Sequence, residues 1–68
     1  MMEHKLRLTP RDLEVLNLVV QDYTSAHIGD KLNLSEQTIK DKRSRMIRKN
    51  NVKSLNRVIY LASKRGLL

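Results

Sequence analysis

The sequence predicts an all-α fold of four helices, and three observations support this prediction. The apolar residues recur at intervals of three or four, and no stretch alternates with period two for long enough to form a strand. The single proline and both glycines stand where helices are expected to begin, cross or end. The 68 residues leave room for one domain, without an internal linker or repeat. We therefore expect a short arm over residues 1–8 and a single domain over residues 9–68.

The first helix begins with a capping sequence. Thr9 is a favourable N-cap, Pro10 suits the first helical position, and Asp12 can complete a capping box with Thr9. The helix is expected to end near Asp22. The residues that mark its buried face are Leu13, Val15, Leu16, Val19 and Val20.

The second helix is short, with Thr24 or Ser25 as its cap. Its inner side carries Ile28 and Leu32. Gly29 lies on the same side, where glycine costs a helix about 1 kcal/mol relative to alanine. This cost is explained if another backbone crosses close to Gly29.

A turn and a third helix follow at once. Asn33 tolerates the left-handed backbone conformation that a tight turn needs, and Ser35 is a favourable cap. Two helices joined by such a turn within about 25 residues form a helix-turn-helix unit, which places its second helix in the DNA major groove. The spacing from Gly29 to Asn33 and on to Ile39 fits this unit. The third helix is expected over about residues 36–50.

The third helix has a narrow inner stripe and a broad, basic outer face. At about 100° per residue, the inner stripe holds Ile39, Arg43, Met46, Ile47 and Asn50. The outer face holds Gln37, Asp41, Ser44, Arg45 and Arg48, flanked by Lys40, Lys42 and Lys49. The position of Arg43 leaves two alternatives open, a contact with a phosphate and a bridge to Asp30.

The fourth helix is expected over about residues 54–65, beginning at Ser54 and stopping at Gly66. Its inward residues are Leu55, Val58, Ile59 and Ala62. The apolar residues that remain outside are Tyr60, Leu61, Leu67 and Leu68. Because a small monomer usually exposes less apolar surface, they indicate a two-fold dimer. The alternative is that the last two leucines fold back on the first helix.

The charge of the chain is large and unevenly distributed. Fourteen Lys and Arg stand against seven Asp and Glu, which gives a net charge of +7 and an isoelectric point near 10.3. Residues 1–34 have a net charge of −1, and residues 35–68 one of +8. Six basic residues and one acidic residue lie between Lys40 and Lys49. This cluster favours a polyanionic partner such as nucleic acid; the alternative is a solvated basic helix face.

The same composition argues against several classes of protein. With no cysteine, and only His4 and His27 as nitrogen ligands, we expect no disulfide and no metal site. No apolar run approaches the ~18 residues of a membrane span, and no signal peptide is visible, so we expect a cytoplasmic protein. No nucleophile–base pair or carboxylate pair is arranged on one face. We therefore expect no enzyme, no cofactor and no small-molecule ligand.

A set of short motifs runs along residues 6–68. They are Leu8-Thr9-Pro10-Arg11, Glu14-Val15-Leu16, Ile28, Leu32, Leu34-Ser35-Glu36, Thr38-Ile39-Lys40, Arg48-Lys49 and Val52. Together they resemble the LuxR-type (GerE-type) helix-turn-helix domain. The resemblance implies a bacterial or phage transcriptional regulator that binds DNA through its third helix and dimerises through its fourth. We expect a stand-alone member of the family rather than the excised domain of a longer protein.

The resemblance also implies roles for individual residues. The residues expected to read bases are Gln37, Lys40, Asp41, Ser44 and Arg45. Those expected to contact phosphates are Thr24, Ser25, Ser35, Thr38, Lys42, Arg43, Arg48 and Lys49. The dimer contact is expected at Ser54, Arg57, Tyr60, Leu61 and Lys64. Asn50 and Asn51 replace an apolar residue and a glycine of the family.

The expected partners are double-stranded DNA and a second copy of the chain, with RNA polymerase or a larger regulator as further candidates. A hypothesis from another class is a helical interaction module. Such a module docks on an acidic partner, or heterodimerises with a larger LuxR-type regulator and inhibits it. The outer face of the third helix distinguishes the two hypotheses, because a module that only blocks a partner has no need for base-reading residues there.

Overall fold

In the computed structural model, which describes residues 5–68, the chain forms four α-helices. They are α1 (Pro10–Val20), α2 (Ser25–Leu32), α3 (Glu36–Lys49) and α4 (Leu55–Lys64). No strand occurs among the described residues, so the prediction of an all-α fold with four helices is confirmed. The α3 helix contacts α1, α2 and α4, and its longest interface is with α2. This arrangement leaves one side of α3 free.

Each helix begins at a hydroxyl side chain that accepts a backbone N–H. Thr9 accepts from the N–H of Asp12 at 3.0 Å, and the Asp12 carboxylate accepts from the N–H of Thr9 at 2.9 Å, which completes the predicted capping box. Thr24 caps α2, so the choice between Thr24 and Ser25 is settled. Ser35 caps α3 as expected, and α4 begins one residue later than expected, with Ser54 as its cap.

The turn between α2 and α3 explains the glycine in α2. Asn33 ends α2 in the left-handed conformation, with φ 61° and ψ 42°. The next N–H, of Leu34, donates to the carbonyl of Gly29 at 2.8 Å. A Cβ at Gly29 would overlap the carbonyl oxygen of Leu34. The predicted close crossing is confirmed, and only glycine fits it without a shift of the backbone.

The α3 helix ends at Lys49, one residue earlier than expected, with Asn50 as its C-cap. Asn51 adopts a φ of 53°, so it occupies the place where the resemblance expects a glycine in a conformation that asparagine tolerates. The Asn50 side chain is 1% exposed. Its Oδ1 accepts from the N–H of Arg7 at 2.6 Å, and its Nδ2 donates to the carbonyls of Arg7 at 3.1 Å and Met46 at 2.8 Å.

These bonds fasten the N-terminal arm to the end of α3. The arm was expected over residues 1–8, of which residues 1–4 lie outside the described part. Residues 5–8 have no regular secondary structure, and Leu8 packs against the core.

The core combines apolar residues from all four helices. The completely buried ones are Val15, Leu16, Ile28, Ile39, Met46, Val58 and Ala62. The prediction that Val20 faces inward was wrong, because Val20 is 48% exposed. The α1 helix ends at Val20, two residues before Asp22, which has a φ of 69° and redirects the chain. Tyr23, whose N–H donates to the carbonyl of Leu18 at 3.1 Å, packs against the core instead.

Candidate nucleic-acid interface

The outer side of α3 carries all five residues that were expected to read bases. Each of them is exposed, and they follow one another at helical spacing; they are Gln37, Lys40, Asp41, Ser44 and Arg45. A helix of 14 residues is about 21 Å long and has a diameter that the major groove admits. The structure therefore brings these five residues together on one accessible helix face.

Two pairs of side chains on this face contact each other within the helix. The Gln37 amide donates to the Asp41 carboxylate at 3.0 Å, one turn further on. The Lys40 ammonium lies 3.3 Å from the Glu36 carboxylate, and both side chains are more than half exposed. Exposed pairs of this kind contribute little to stability. All four groups therefore remain available to a partner that offers better hydrogen bonds.

The N-terminal end of α3 offers hydroxyl groups. Ser35 accepts from the N–H of Thr38 at 3.0 Å, and the two hydroxyls lie 2.8 Å apart at the surface. A helix N-terminus carries a partial positive charge and favours phosphate oxygens. Both residues were expected to contact phosphate, and their position is compatible with that role.

Among the residues that were expected to contact phosphate, Ser25 is buried and Arg43 is half-buried. Ser25 is 9% exposed, and its hydroxyl accepts from the guanidinium of Arg43 at 3.0 Å. Of the two alternatives for Arg43, the bridge to Asp30 is not formed. Thr24 is exposed, but its hydroxyl caps α2 by accepting from the N–H of His27.

Lys49 has a partner inside the protein. Its ammonium lies 2.6 Å from Oδ2 of Asp12, and the two side chains are 27% and 7% exposed. Burial raises the pKa of Asp12, but the bonds from Lys49 and from the Thr9 backbone outweigh it and lower the pKa below its usual value. Lys49 thus joins the end of α3 to the start of α1, and this geometry does not support the expected phosphate contact. Arg48, the residue before it, is exposed.

The residues expected at the dimer contact lie along α4. Ser54, Arg57, Tyr60 and Lys64 are exposed, and Leu61 is half-buried. Tyr60 is 49% exposed, with the Arg57 guanidinium 5.0 Å and the Lys64 ammonium 5.8 Å from its ring centroid. These distances are typical of cation–π contacts.

Leu67 and Leu68 line one shallow groove with Pro10 and Leu13 of α1. They nevertheless remain 46% and 38% exposed. The two leucines thus face α1 across this groove, and much of their apolar surface is uncovered.

Three contacts around α3 were not identified from the sequence. They are Arg7 with Asn50, Asp12 with Lys49, and Ser25 with Arg43. Asn50 and Arg43 lie on the inner stripe of α3 by their spacing in the sequence, and a polar residue on such a stripe is the signal that a buried partner is needed. Within residues 5–68, no cluster of three or more metal-ligating side chains occurs and no helix is long and apolar enough to cross a membrane.

Comparison with known proteins agrees with this geometry. The family model of bacterial regulatory proteins of the luxR family, named GerE, matches residues 6–62. The chain is 34% identical over 67 residues to a probable transcriptional regulator ycf29 of Pyropia yezoensis, a match that covers 98% of this chain and 30% of that protein. It is 36% identical over 59 residues to the transcriptional regulatory protein DegU of Brevibacillus brevis, a match that covers 87% of this chain and 25% of DegU.

The chain spans less than a third of the length of these curated relatives. No solved structure gave a significant match. The family is one of DNA-binding transcription regulators and not of enzymes. Its model covers four-fifths of the chain, including all of α1, α2 and α3. The chain belongs to the luxR family of regulatory proteins and carries its helix-turn-helix DNA-binding domain.

Proposed function

We propose that the chain binds double-stranded DNA in a sequence-specific manner, with α3 in the major groove, and regulates transcription from that site. The observation that carries the proposal is the outer face of α3, where five exposed polar or charged side chains stand together with no other helix against them. In a helix-turn-helix unit, the N-terminal residues of the second helix reach the base edges. Four of the five lie in the first nine positions of α3.

The chemistry of each side chain suggests what it reads. Arg45 suits guanine, whose O6 and N7 accept two hydrogen bonds, and Gln37 suits adenine. Asp41 accepts only, so among the bases it favours the amino group of cytosine, and it is repelled by phosphates. Lys40 and Ser44 lie between Gln37 and Arg45 on the same face of α3. The remaining contacts go to phosphates, from Thr24, Ser35, Thr38, Lys42, Arg43 and Arg48.

We propose further that two copies associate through α4. A two-fold dimer would cover Tyr60 and Leu61 and would place two α3 helices about 34 Å apart, one turn of DNA. One helix of 10 residues offers a small interface. The free dimer is therefore weak, and a DNA site with two half-sites favours it.

The experiment that tests the proposal is selection from a library of randomised duplexes, followed by sequencing of the bound fraction. We expect an enriched motif, with two half-sites about 10 base pairs apart if the dimer forms on DNA. The affinity for the selected site should fall steeply with salt, with a slope of about −0.9 for each phosphate contacted. A flat salt profile and the absence of an enriched motif would contradict the proposal and favour the interaction-module hypothesis.

The dimer contact is tested by Tyr60→Glu, which places a charge in the proposed interface. Because Tyr60 is half-exposed, the helical content should be unchanged, while cooperative binding to a paired site is lost. Asn17→Glu, at an exposed position of α1 and outside the proposed interface, is the matched control. If Tyr60→Glu still binds both half-sites cooperatively, α4 is not the dimer contact.

A further inference from the structure

The outward side of α4 combines an aromatic side chain with two positive charges. The Arg57 guanidinium and the Lys64 ammonium lie 5.0 and 5.8 Å from the ring centroid of Tyr60, one turn before and one turn after it. All three residues are exposed, and no ion pair among residues 5–68 includes either of the two basic residues. The apolar contact that α4 offers is therefore flanked by two cations without a paired anion.

The apolar part of this side continues into the C-terminal tail. Gly66 reverses the chain with a φ of 71°, and the N–H of Leu67 donates to the carbonyl of Ala62 at 2.9 Å, which places Leu67 beside the last turn of α4. Leu67 and Leu68 remain exposed, although they line a groove against Leu13 of α1. We call the whole area the α4–tail surface; it consists of Arg57, Tyr60, Leu61, Lys64, Leu67 and Leu68.

The charge of the α4–tail surface is poorly matched to a second copy of the same surface. No Asp or Glu follows Asp41 in the sequence. A two-fold pair of α4 helices would thus bring Arg57 and Lys64 close to the same two residues of the other copy and would supply no acidic side chain. Like charges that face each other across an interface cost free energy. The α4 helix is only about 15 Å long, so it offers little apolar area to offset this cost.

We propose that the α4–tail surface binds a helix of another protein whose apolar residues are flanked by Asp or Glu. The carboxylates of this helix pair with Arg57 and Lys64, and its apolar residues cover Tyr60 and the tail leucines. This acidic helix excludes a second copy of the chain, because both need the same surface. The inference goes beyond the proposed function and does not depend on it. The reading face of α3 stays exposed beside α4, so the chain can hold the acidic helix and a DNA half-site together.

The first test uses a charge-reversed copy of this chain as the acidic partner. The probe carries Arg57→Glu and Lys64→Glu, so it presents the same apolar residues with carboxylates beside them. The control carries Lys5→Glu and Lys31→Glu, at two exposed positions outside the α4–tail surface. Each double variant replaces two positive charges with two negative ones and so lowers the net charge from +7 to +3. Since both stay positive, attraction between whole molecules does not explain any binding to the unaltered chain.

Sedimentation of mixtures with the unaltered chain measures the two affinities. We expect the probe to bind the unaltered chain about tenfold more tightly than the control does, and about tenfold more tightly than the unaltered chain binds itself. Equal binding of probe and control would overturn the proposal. The proposed function would then still stand, provided that the unaltered chain binds a duplex with a single half-site. If the chain binds no duplex while the probe still binds tightly, the proposed function fails and this inference stands.

The second test needs no variant and therefore also serves if the probe does not fold. Salt screens like charges that repel each other as well as opposite charges that attract. The self-association of the unaltered chain should therefore become stronger from low to moderate salt, whereas its binding to the probe should become weaker. Self-association that weakens with salt would show that two copies attract each other through opposite charges. That result would overturn the proposal, because a second copy would then match the surface.

Discussion

At the N-terminal end of α3 the side chains bond one another at the surface, whereas at the C-terminal end they bond residues of distant segments. Near the start, Gln37 pairs with Asp41 and Lys40 with Glu36, each within one turn and in contact with water. Such pairs exchange their partners at little cost in free energy.

Near the end of α3 the contacts are shorter and protected. Lys49 lies 2.6 Å from Asp12, and Asn50 accepts from the backbone of Arg7 at the same distance. Asp12 and Asn50 are 5% and 1% exposed, so their hydrogen bonds are not easily replaced by bonds to water. The two ends of α3 therefore have different roles. The first part is free to contact a partner, and the last part fixes the direction of the helix relative to α1 and the arm.

The largest effect, on the free energy of unfolding, is expected when the hydrogen bonds at the C-terminal end of α3 are removed. Asn50→Ala removes three hydrogen bonds and leaves the backbone N–H and carbonyl of Arg7 without this partner, whereas the carbonyl of Met46 still accepts from the backbone N–H of residue 50. We expect the free energy of unfolding to fall by about 3 kcal/mol, which urea titration would measure. Asn56→Ala, at an exposed position of α4, is the control and should have little effect. A loss below about 0.5 kcal/mol would show that the end of α3 is not fixed by Asn50.

An intermediate effect, on DNA recognition, is expected from a substitution on the exposed face of α3. Arg45→Ala should leave the unfolding free energy unchanged, since Arg45 is exposed and outside the core. It should reduce the discrimination between the selected duplex and random DNA by about 2 kcal/mol, as expected for one bidentate contact with a guanine. Competition binding with both duplexes measures this difference. Equal weakening on both duplexes would assign Arg45 to a phosphate rather than to a base.

The smallest effect is expected at the neighbours Arg48 and Lys49, of which the first is exposed and the second contacts Asp12. Arg48→Met should reduce the salt slope of DNA binding by about 0.9, because Arg48 is exposed. Lys49→Met should leave the slope unchanged and lower the unfolding free energy by about 1 kcal/mol, because Asp12 loses its partner. If Lys49→Met changes the slope as much as Arg48→Met, Lys49 leaves Asp12 to contact DNA.

The contribution of Lys49 should also depend on pH. The pKa of Asp12 is lower in the folded protein than its usual value, so this group binds fewer protons in the folded state than in the unfolded one. Its stabilising contribution is therefore complete above about pH 4 and is lost as the pH falls through the lowered pKa of the folded state. The difference in stability between the unaltered chain and Lys49→Met should shrink over the same range, as unfolding at neutral and acidic pH would show.

Local signals in the sequence were sufficient to predict the helices and the free face of α3. The caps at Thr9 and Ser35, the turn at Asn33 and the crossing at Gly29 each depend on residues at most six positions apart. The outer face of α3 follows from periodicity alone.

The fixed end of α3 was not predictable in the same way. Arg7 and Asn50 are 43 positions apart, and Asp12 and Lys49 are 37 apart. Contacts over such separations depend on how the helices cross, which periodicity does not encode. Val20 was expected to face inward because it continues the apolar pattern, although it is the last residue of α1 and is 48% exposed.

The crossing at Gly29 has a consequence for how new binding specificities arise. The backbone of Leu34 touches α2 where no side chain intervenes, so the angle between α2 and α3 is set by main-chain atoms. The five outward residues of α3 take no part in that contact. A library randomised at those five positions should therefore remain folded in one geometry, and selection would act on recognition alone. The helix-turn-helix unit should therefore keep one backbone geometry while the residues that read bases change. A new DNA-binding specificity can then arise by few substitutions.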